Sequence, residues 1–317
     1  MQPLRHWIEY LVFRVCWALL HLIPWEGRRR IGAALGALGY RVVGKRRRVA
    51  LDNLAAAFPE RPEAERRRIA RAAFCHFGRM SAEFLTFPPI PREALDRYAV
   101  FEGLEHVERA YASGAGMIHI SAHYGNWELV ALFQGLLGYP MTIMTRPLDN
   151  PRLDRWFQGL RTRSGHRVTH KGSAVKASLR ALGAGTGAGI VIDQNFRNRK
   201  KGVFVEFFGR PACTVPSAAL LALKTGAPII PSHSVPLPDG RYRIVYGPPV
   251  PVPEQGTKEE RVQELTARCS RLLETVIRER PEYWLWLHDR WKTRPKGTPV
   301  WRSDWTVPAN APAKATG

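Results

Sequence analysis

The feature that most constrains the fold is an alternation of short apolar runs with helix-like stretches in the last two-thirds of the chain. Short apolar runs of this kind are typical of strands that are buried on both faces. The predicted strands are residues 116–120, 141–144, 189–192 and 228–230, and the predicted helices are 127–137, 153–163, 174–182 and 217–224. Strands joined by helical crossovers run parallel. We therefore expect an α/β fold with a mostly parallel central sheet flanked by helices.

The segments around this alternation complete the predicted organisation. Residues 27–85 are predicted to be helical, with a break at 58–62, which holds two prolines. Residues 242–245 fit one more strand, and 258–280 fit a long closing helix. The tail at 295–317 offers little to pack and is expected to be mobile. Three parts are predicted: an N-terminal helix at 1–25, an α/β domain at 26–294 and the tail.

The charge of the chain is strongly positive and unevenly distributed. There are 48 Lys and Arg against 27 Asp and Glu, which gives a net charge of +21. Residues 26–79 hold 14 basic and 5 acidic residues, and residues 146–210 hold 14 and 4, so two stretches carry +19. Such surfaces indicate an anionic partner, which the charge alone leaves open among nucleic acid, an acidic protein and an anionic membrane. The four cysteines form no C-x-x-C pair, which argues against a disulfide framework.

The N-terminal helix is predicted to be amphipathic. One stripe of the helical wheel is apolar, and Arg14 and His21 lie on another side. The stripe consists of Leu4, Ile8, Leu11, Val15, Ala18, Leu19 and Leu22. The uninterrupted apolar part is shorter than the roughly 20 residues that span a bilayer. We expect an interfacial membrane anchor, with a short tilted span and a soluble helix packed on the domain as alternatives. The basic clusters that follow at 28–30 and 45–48 favour attachment to anionic headgroups.

The most informative chemistry lies where the first predicted strand of the alternation runs into a helix. His123 follows the strand, and Glu128 lies on the first turns of the helix. In open α/β sheets, ligands gather at the carboxyl ends of strands. A carboxylate bonded to one ring nitrogen fixes the tautomer of an imidazole and leaves the other nitrogen free to take a proton. We expect Glu128 to orient His123 as a general base that activates an alcohol, without a covalent acyl-enzyme.

A metal centre and a dinucleotide site are the less favoured alternatives. The pairs His119 with His123 and His166 with His170 have the spacing of ligand pairs on a helix. In a strand, however, residues four apart stand about 13 Å apart. No metal is therefore expected. The glycine-rich stretch 183–189 precedes a strand instead of following one, which argues against a dinucleotide fingerprint.

At this point the sequence resembles the bacterial lipid A secondary acyltransferases of lauroyl and myristoyl type. These belong to the wider group of glycerolipid acyltransferases with an H-x4-D/E motif. The resemblance runs from about Arg28 to Trp291. Its blocks, in order, are Arg48 with Asn53-Leu54 and Phe58-Pro59-Glu60, His123-Tyr124-Gly125-Asn126-Trp127-Glu128, Arg146-Pro147-Leu148-Asp149-Asn150-Pro151, Asp193-Gln194, Phe207-Phe208-Gly209 with Ala212 and Thr214, Thr225-Gly226-Ala227-Pro228-Ile229-Ile230-Pro231, and Trp284-Leu285-Trp286-Leu287-His288-Asp289-Arg290-Trp291.

The resemblance implies transfer of a fatty acyl chain from an acyl carrier protein thioester to a hydroxyl of a lipid A precursor. No cofactor is expected, and the catalytic domain is expected to face the cytoplasm at the bacterial inner membrane. Four residues would then serve the substrates: Arg146, Asp193, Asn126 and Gln194. Arg146 would hold a phosphate or the oxyanion, or form a structural ion pair. Asp193 would pair with Arg146, position the acceptor or cap a turn.

Asn126 and the backbone N–H groups of its turn are the further oxyanion candidates. Trp284 and Trp286 are expected to pack in the core. The residues after Gln194, Asn195-Phe196-Arg197-Asn198, depart from the family's pattern and are expected beside the acceptor. One alternative keeps the chemistry and changes the acceptor to another phospholipid or glycolipid. Nucleic-acid binding is a weaker alternative, because no segment resembles a nucleic-acid module.

Overall fold

The architecture of the chain is that of a computed structural model that describes residues 2–170 and 172–297. The helices are α1 (Gln2–His21), α2 (Trp25–Val42), α3 (Gly44–Ala57), α4 (Glu63–Thr86), α5 (Leu104–Ala112), α6 (Trp127–Leu136), α7 (Pro151–Thr162), α8 (Ala174–Gly183), α9 (Ser217–Thr225) and α10 (Lys258–Glu279). The strands are β1 (Ala99–Glu102), β2 (Met117–Ser121), β3 (Met141–Thr145), β4 (Arg167–His170), β5 (Gly187–Val191), β6 (Val203–Phe207), β7 (Arg210–Thr214), β8 (Ile229–Pro236) and β9 (Tyr242–Tyr246). Short 3-10 turns lie at Arg92–Arg97 and Pro281–Tyr283.

Seven strands form a central sheet in the order β1-β9-β8-β2-β5-β3-β4. Neighbouring strands are parallel, except that β8 and β9 are antiparallel. The predicted mostly parallel α/β fold is therefore confirmed. Strands β6 and β7 form a separate antiparallel hairpin that the sequence analysis did not predict. Strands β1 and β4 were missed as well, because each has only four residues and includes charged or polar side chains.

Helices cover both faces of the sheet, so the inner strands are buried on two sides. All five residues of β2 are buried, and its side chains alternate between the two faces. Ile118 and Ile120 pack into a core with α3, α4, α8, α9 and α10, whereas Met117 packs into a second core with α5 and α6. Alternation between two apolar layers explains why these strands read as unbroken apolar runs. The parallel pairing of β2 with β5 places the carboxyl ends of these two strands side by side.

The predicted helical region at 27–85 contains the expected break. Helices α3 and α4 are separated at residues 58–62, where Pro59 and Pro62 interrupt the backbone hydrogen bonding. A further separation lies at Val43, between α2 and α3. The predicted tail at 295–317 lies outside the described residues from 298 onward.

Helix α1 has two different faces. On the inner face, Phe13 and Trp17 pack against Trp156 of α7, with ring centroids 4.7 and 6.0 Å apart. Trp17 also donates a hydrogen bond through Nε1 to the carbonyl of Leu85 in the last turn of α4. The predicted apolar stripe is the outer face, where the large side chains are more than half exposed; they are Leu4, Ile8, Leu11, Val15, Leu19 and Leu22. No helix in the described part of the chain is both long and apolar enough to span a membrane.

Candidate active site

His123 lies at the carboxyl end of β2, where the chain leaves the sheet. Its side chain is 21% exposed, and the edge of its ring faces Trp127, with centroids 4.9 Å apart. The carbonyl of His123 accepts a hydrogen bond from the backbone N–H of Leu285 at 3.0 Å. The histidine is therefore fixed by its backbone while one ring edge stays accessible, as a proton-transfer group requires.

The carboxylate bonded to His123 is that of Asp193, which follows β5. Asp193 Oδ1 lies 2.8 Å from His123 Nδ1, and Oδ2 accepts from the backbone N–H of His123 at 3.0 Å. Trp284 donates through Nε1 to the same Oδ2 at 2.7 Å. Three hydrogen bonds hold this buried carboxylate, and because an ionised carboxylate only accepts, the proton of the imidazole lies on Nδ1. Of the roles considered for Asp193, pairing with Arg146 is not the one found, because both carboxylate oxygens are bonded to His123 or Trp284.

Charge and burial act in opposite directions on this pair. Burial by itself would lower the pKa of His123, but the charge and hydrogen bond of Asp193, with a smaller contribution from the charge of Glu128, raise that pKa above its ordinary value. Burial by itself would raise the pKa of Asp193. That effect is outweighed by the charge and hydrogen bonds of His123 and by the hydrogen bond from Trp284, so the pKa of Asp193 is lowered. The pair therefore favours an ionised Asp193 beside a basic His123.

Gln194 covers the second ring nitrogen of His123. Its Nε2 lies 3.3 Å from His123 Nε2, which carries the lone pair when Nδ1 is protonated. The backbone carbonyl of Gln194 accepts a hydrogen bond from Arg290 Nη1 at 2.9 Å. A hydroxyl group that donates to His123 Nε2 would replace this amide and leave its N–H groups free for another acceptor.

Glu128 does not fold back onto His123, so the expected hydrogen bond between them is wrong. From the first turn of α6 it accepts two hydrogen bonds from Arg161 on α7, at 3.0 Å from Nε and 2.5 Å from Nη2. Arg161 captures the carboxylate because its planar guanidinium fits both oxygens at once. A small cavity lined by Glu128, Arg161, Phe84, Leu132 and Ile143 lies at this pair.

Asn126 is a structural residue in this geometry, and its expected role in the oxyanion site is wrong. It is fully buried and caps α6, since its Oδ1 accepts from the backbone N–H of Leu129. Its Nδ2 donates to Glu83 Oε2 at 2.8 Å. Glu83 is itself buried and bonded to Arg29 and Tyr242. This network holds the turn between β2 and α6 from beneath.

The backbone N–H groups of that turn are largely occupied too. The N–H of Gly125 donates to the carbonyl of Tyr283, and that of Asn126 donates to Ser234 Oγ. Gly125 has φ +58°, and a Cβ there would overlap the carbonyl of Ser234, so the turn requires glycine. The N–H of His123 is bound to Asp193, so these three backbone N–H groups already have partners.

Arg146 lies where predicted, just beyond β3, and its side chain is exposed. Among the described residues, no carboxylate pairs with it. It remains available to an anionic substrate. His119 of β2 bonds to Gln134 Oε1 and Ser232 Oγ at 2.7 Å each, away from His123.

The C-terminal segment contributes to the site in a way that its sequence pattern did not predict. Trp284 packs in the core as expected, but it also bonds Asp193, and Leu285 bonds the carbonyl of His123. Arg290 is 1% exposed and donates to the carbonyls of Gln194 and Cys213. A histidine and an arginine within this tryptophan-rich stretch were the available signal, because buried polar groups need specific partners.

Comparison with known proteins identifies the family. The model of the bacterial lipid A biosynthesis acyltransferases matches residues 1–293. The chain belongs to this family. This lipid A acyltransferase is 31% identical over 300 residues to the lipid A biosynthesis lauroyltransferase of Escherichia coli (strain K12). The match covers 93% of this chain and 94% of that protein. The myristoyltransferase of the same organism is 26% identical over 296 residues, covering 92% and 89%.

Among solved structures, the acyltransferase is similar to the 1-acyl-sn-glycerophosphate acyltransferase of Thermotoga maritima. The sequence identity is 14% and the TM-score 0.36, with 78% of this chain and 97% of that chain covered. The resemblance expected from the ordered motifs is thus confirmed at the level of the family and of acyltransferase activity.

Proposed function

We propose that this acyltransferase moves a fatty acyl chain from an acyl carrier protein thioester to a hydroxyl of a lipid A precursor, with His123 as the general base. The observation that carries the proposal is the Asp193–His123–Gln194 arrangement at the end of β2 and β5. A buried carboxylate on Nδ1 and an accessible Nε2 are what an imidazole needs to take a proton from an alcohol. The family membership supports a lipid acceptor.

In the proposed reaction the acceptor hydroxyl replaces the Gln194 amide at His123 Nε2. His123 takes the hydroxyl proton as the oxygen attacks the thioester carbonyl, and Asp193 stabilises the imidazolium. The tetrahedral intermediate then collapses, the C–S bond breaks, and the leaving thiolate receives the proton from His123. An ester and a thiol are formed, and no redox step or cofactor is needed.

Two side chains are suited to steady the negative charge that develops on the carbonyl oxygen. The amide of Gln194, displaced from Nε2, lies next to the reacting atoms and has N–H groups to donate. Arg146 is exposed at the end of the neighbouring strand β3 and would bind either this oxygen or a phosphate of the acceptor. We assign the oxyanion to Gln194, because it contacts His123 directly.

Glu128 supports the base through its charge rather than through contact. Arg161 holds both carboxylate oxygens, and the negative charge still contributes to the raised pKa of His123. The pair also fixes α6 against α7 beside the catalytic turn. Glu128 is therefore a positioning and electrostatic residue in this proposal, and Asp193 takes the orienting role that the spacing had suggested for Glu128.

We also propose that α1 attaches the protein to a membrane by lying in its surface, at the bacterial inner membrane with the active site on the cytoplasmic side. The support is the outward apolar face of α1, since more than half of each large side chain is exposed. An apolar stripe of this length gains free energy when it enters the headgroup boundary, and the basic residues of α2 and α3 add attraction to anionic lipids.

The proposal is tested by incubating the detergent-purified protein with labelled acyl carrier protein thioesters and candidate lipids. Mass spectrometry identifies the acylated product. We expect acylation of a lipid A precursor by the wild type and its loss in His123→Ala with the circular dichroism spectrum unchanged. Full activity in His123→Ala would overturn the mechanism. Acylation of a different phospholipid or glycolipid would show that the acceptor is that lipid, while the proposed acyl-transfer mechanism would stand.

A further inference from the structure

The loop that follows Gln194 is positively charged and begins beside the candidate active site. It connects β5 to β6 and contains Arg197, Arg199, Lys200 and Lys201, whose side chains are all exposed. The sequence from 194 to 205 contains no Asp or Glu. In the described ranges, no carboxylate pairs with any of these four cations. Exposed Lys292, which lies beside the base of the loop, adds a fifth, although exposed Asp289 is also nearby.

Several arginines elsewhere on the surface are neutralised by a carboxylate of their own helix. On α4, Arg67 pairs with Glu63, with N and O atoms 2.6 Å apart. On α10, Arg268 pairs with Glu264 at 2.8 Å and Arg278 with Glu274 at 2.7 Å. These three arginines find a partner one helical turn away. The five cations of residues 197–201 and 292, which we call the loop surface, keep their charge for a partner.

The loop is ordered by its own hydrogen bonds and tied to the catalytic residues. Asn195 donates its backbone N–H to His288 Nε2 at 3.1 Å, and its Oδ1 accepts from the backbone N–H of Thr293 at 2.8 Å. Asn198 Oδ1 accepts from the N–H groups of Lys200 and Lys201 at 3.1 and 3.2 Å. A loop that is already ordered loses little conformational entropy on binding. Asn195 is two residues from Asp193, so the loop surface begins beside the reacting atoms.

We infer that the loop surface docks the acidic acyl carrier protein that delivers the thioester, an inference that rests on the function proposed above. Its cations are spread out and exposed, which suits charge complementarity between two proteins. A phosphate of the acceptor would instead be held by converging, partly buried donors in a bidentate arrangement. From the sequence, residues 195–198 were expected beside the acceptor. The exposure of Arg197 and its neighbours favours the donor protein instead.

The test compares the charge reversal Arg197→Glu/Lys201→Glu with a control of equal charge change, Arg180→Glu/Lys224→Glu. Both control residues are exposed and lie near the C-terminal ends of α8 and α9, at the opposite edge of the sheet. Binding of fluorescent holo acyl carrier protein to the detergent-solubilised full chain is measured by anisotropy. Steady-state kinetics with the carrier thioester and with a coenzyme A thioester give KM and kcat.

We expect the loop variant to raise the Kd for the carrier and the KM for its thioester at least tenfold. The kcat at saturating donor, the KM for the lipid and the rate with the coenzyme A thioester should stay within twofold of wild type. The control should change none of these by more than twofold. Higher salt should weaken carrier binding to the wild type more than to the loop variant, because fewer ion pairs remain to be screened. The neutral variant Arg197→Gln/Lys201→Gln should have the melting temperature of the wild type. Its Kd for the carrier should lie between those of the wild type and the charge-reversed loop variant.

Three results would overturn the inference. One is an equal loss of carrier binding in the loop variant and in the control, because such a loss would reflect the net charge of the protein alone. Another is a raised KM for the lipid with unchanged carrier binding, which would make the loop an acceptor phosphate site. A third is weaker binding to anionic vesicles with unchanged carrier binding, which would make it a membrane contact. If the wild type acylates lipid without using a carrier thioester at all, the donor in the proposed function is wrong.

Discussion

His123 Nδ1 lies 2.8 Å from Asp193 Oδ1, although 70 positions separate the two residues in the chain. They meet because β2 and β5 are neighbouring parallel strands, so the residues that follow them lie at the same edge of the sheet. The nearer carboxylate in sequence, Glu128, is bonded to Arg161 instead. The candidate base is thus oriented from an adjacent strand and not from its own helix.

Asp193→Asn is expected to lower kcat by about 10³-fold or more, because an amide can donate to Nδ1 and so favour the wrong tautomer of His123. The measurement is initial-rate kinetics with saturating donor, together with a circular dichroism spectrum. Asp239→Asn is the matched control, since Asp239 is a surface residue that bonds Arg241. Activity of the Asp193 variant within tenfold of wild type would refute the orienting role.

The rate is expected to rise with pH through the raised pKa of His123, since only the neutral imidazole accepts the hydroxyl proton. The midpoint of kcat/KM should therefore lie above the ordinary histidine value of about 6.5. Glu128→Gln should move it to lower pH, because a negative charge that favours the imidazolium is removed and Arg161 stays positive. The pH profile is compared with that of the surface variant Glu102→Gln, and an unmoved profile in Glu128→Gln would exclude an electrostatic role.

Leu11→Glu/Val15→Glu on the outer face of α1 is expected to weaken binding to anionic phospholipid vesicles by about 10²-fold or more. Burial of each aliphatic side chain is worth roughly 1.5–3 kcal/mol, and the change adds charge. Co-sedimentation measures the partitioning. The control Val252→Glu/Leu272→Glu alters two other exposed apolar residues. Equal binding by both double variants would count against α1 as the attachment site.

Acid is expected to destabilise the fold through two buried histidines and one half-buried histidine that are held in neutral form. Burial lowers the pKa of His76, His119 and His233 to about 4, against about 6.5 in the unfolded chain. Between these values the unfolded state binds more protons, so each histidine costs about 1.4 kcal/mol of stability per pH unit as pH falls. His123, whose pKa is raised, acts in the opposite direction.

Urea unfolding at pH 7 and pH 5 measures this effect. Between pH 7 and pH 5 the free energy of unfolding of the wild type should fall by roughly 2 kcal/mol for each of these histidines. His119→Asn and His233→Asn should each show a correspondingly smaller loss of unfolding free energy than the wild type. A pH dependence that is identical in all three proteins would contradict the linkage.

Much of the fold followed from local patterns. The apolar runs at β2, β3 and β5 and the helices between them were predicted to within a few residues, because a strand buried on both faces leaves an unmistakable run. The hairpin of β6 and β7 was not predicted, since its strands flank the Phe208-Gly209 turn and mix polar with apolar residues. The apolar stripe of α1 was predicted from its helical period, and the structure gave its direction, away from the domain.

The sequence by itself determined where the candidate base lies, because His123 directly follows a buried apolar strand and so lies at a strand end. It also supplied the ordered motifs that indicated the family. Only the tertiary structure decided the partners of the titratable groups. Asp193 bonds His123, Arg161 takes Glu128, and Asn126 turns inward to Glu83. Hydrogen bonds of this kind depend on which strands and helices become neighbours, and that order is set by packing across the whole sheet, beyond any local spacing.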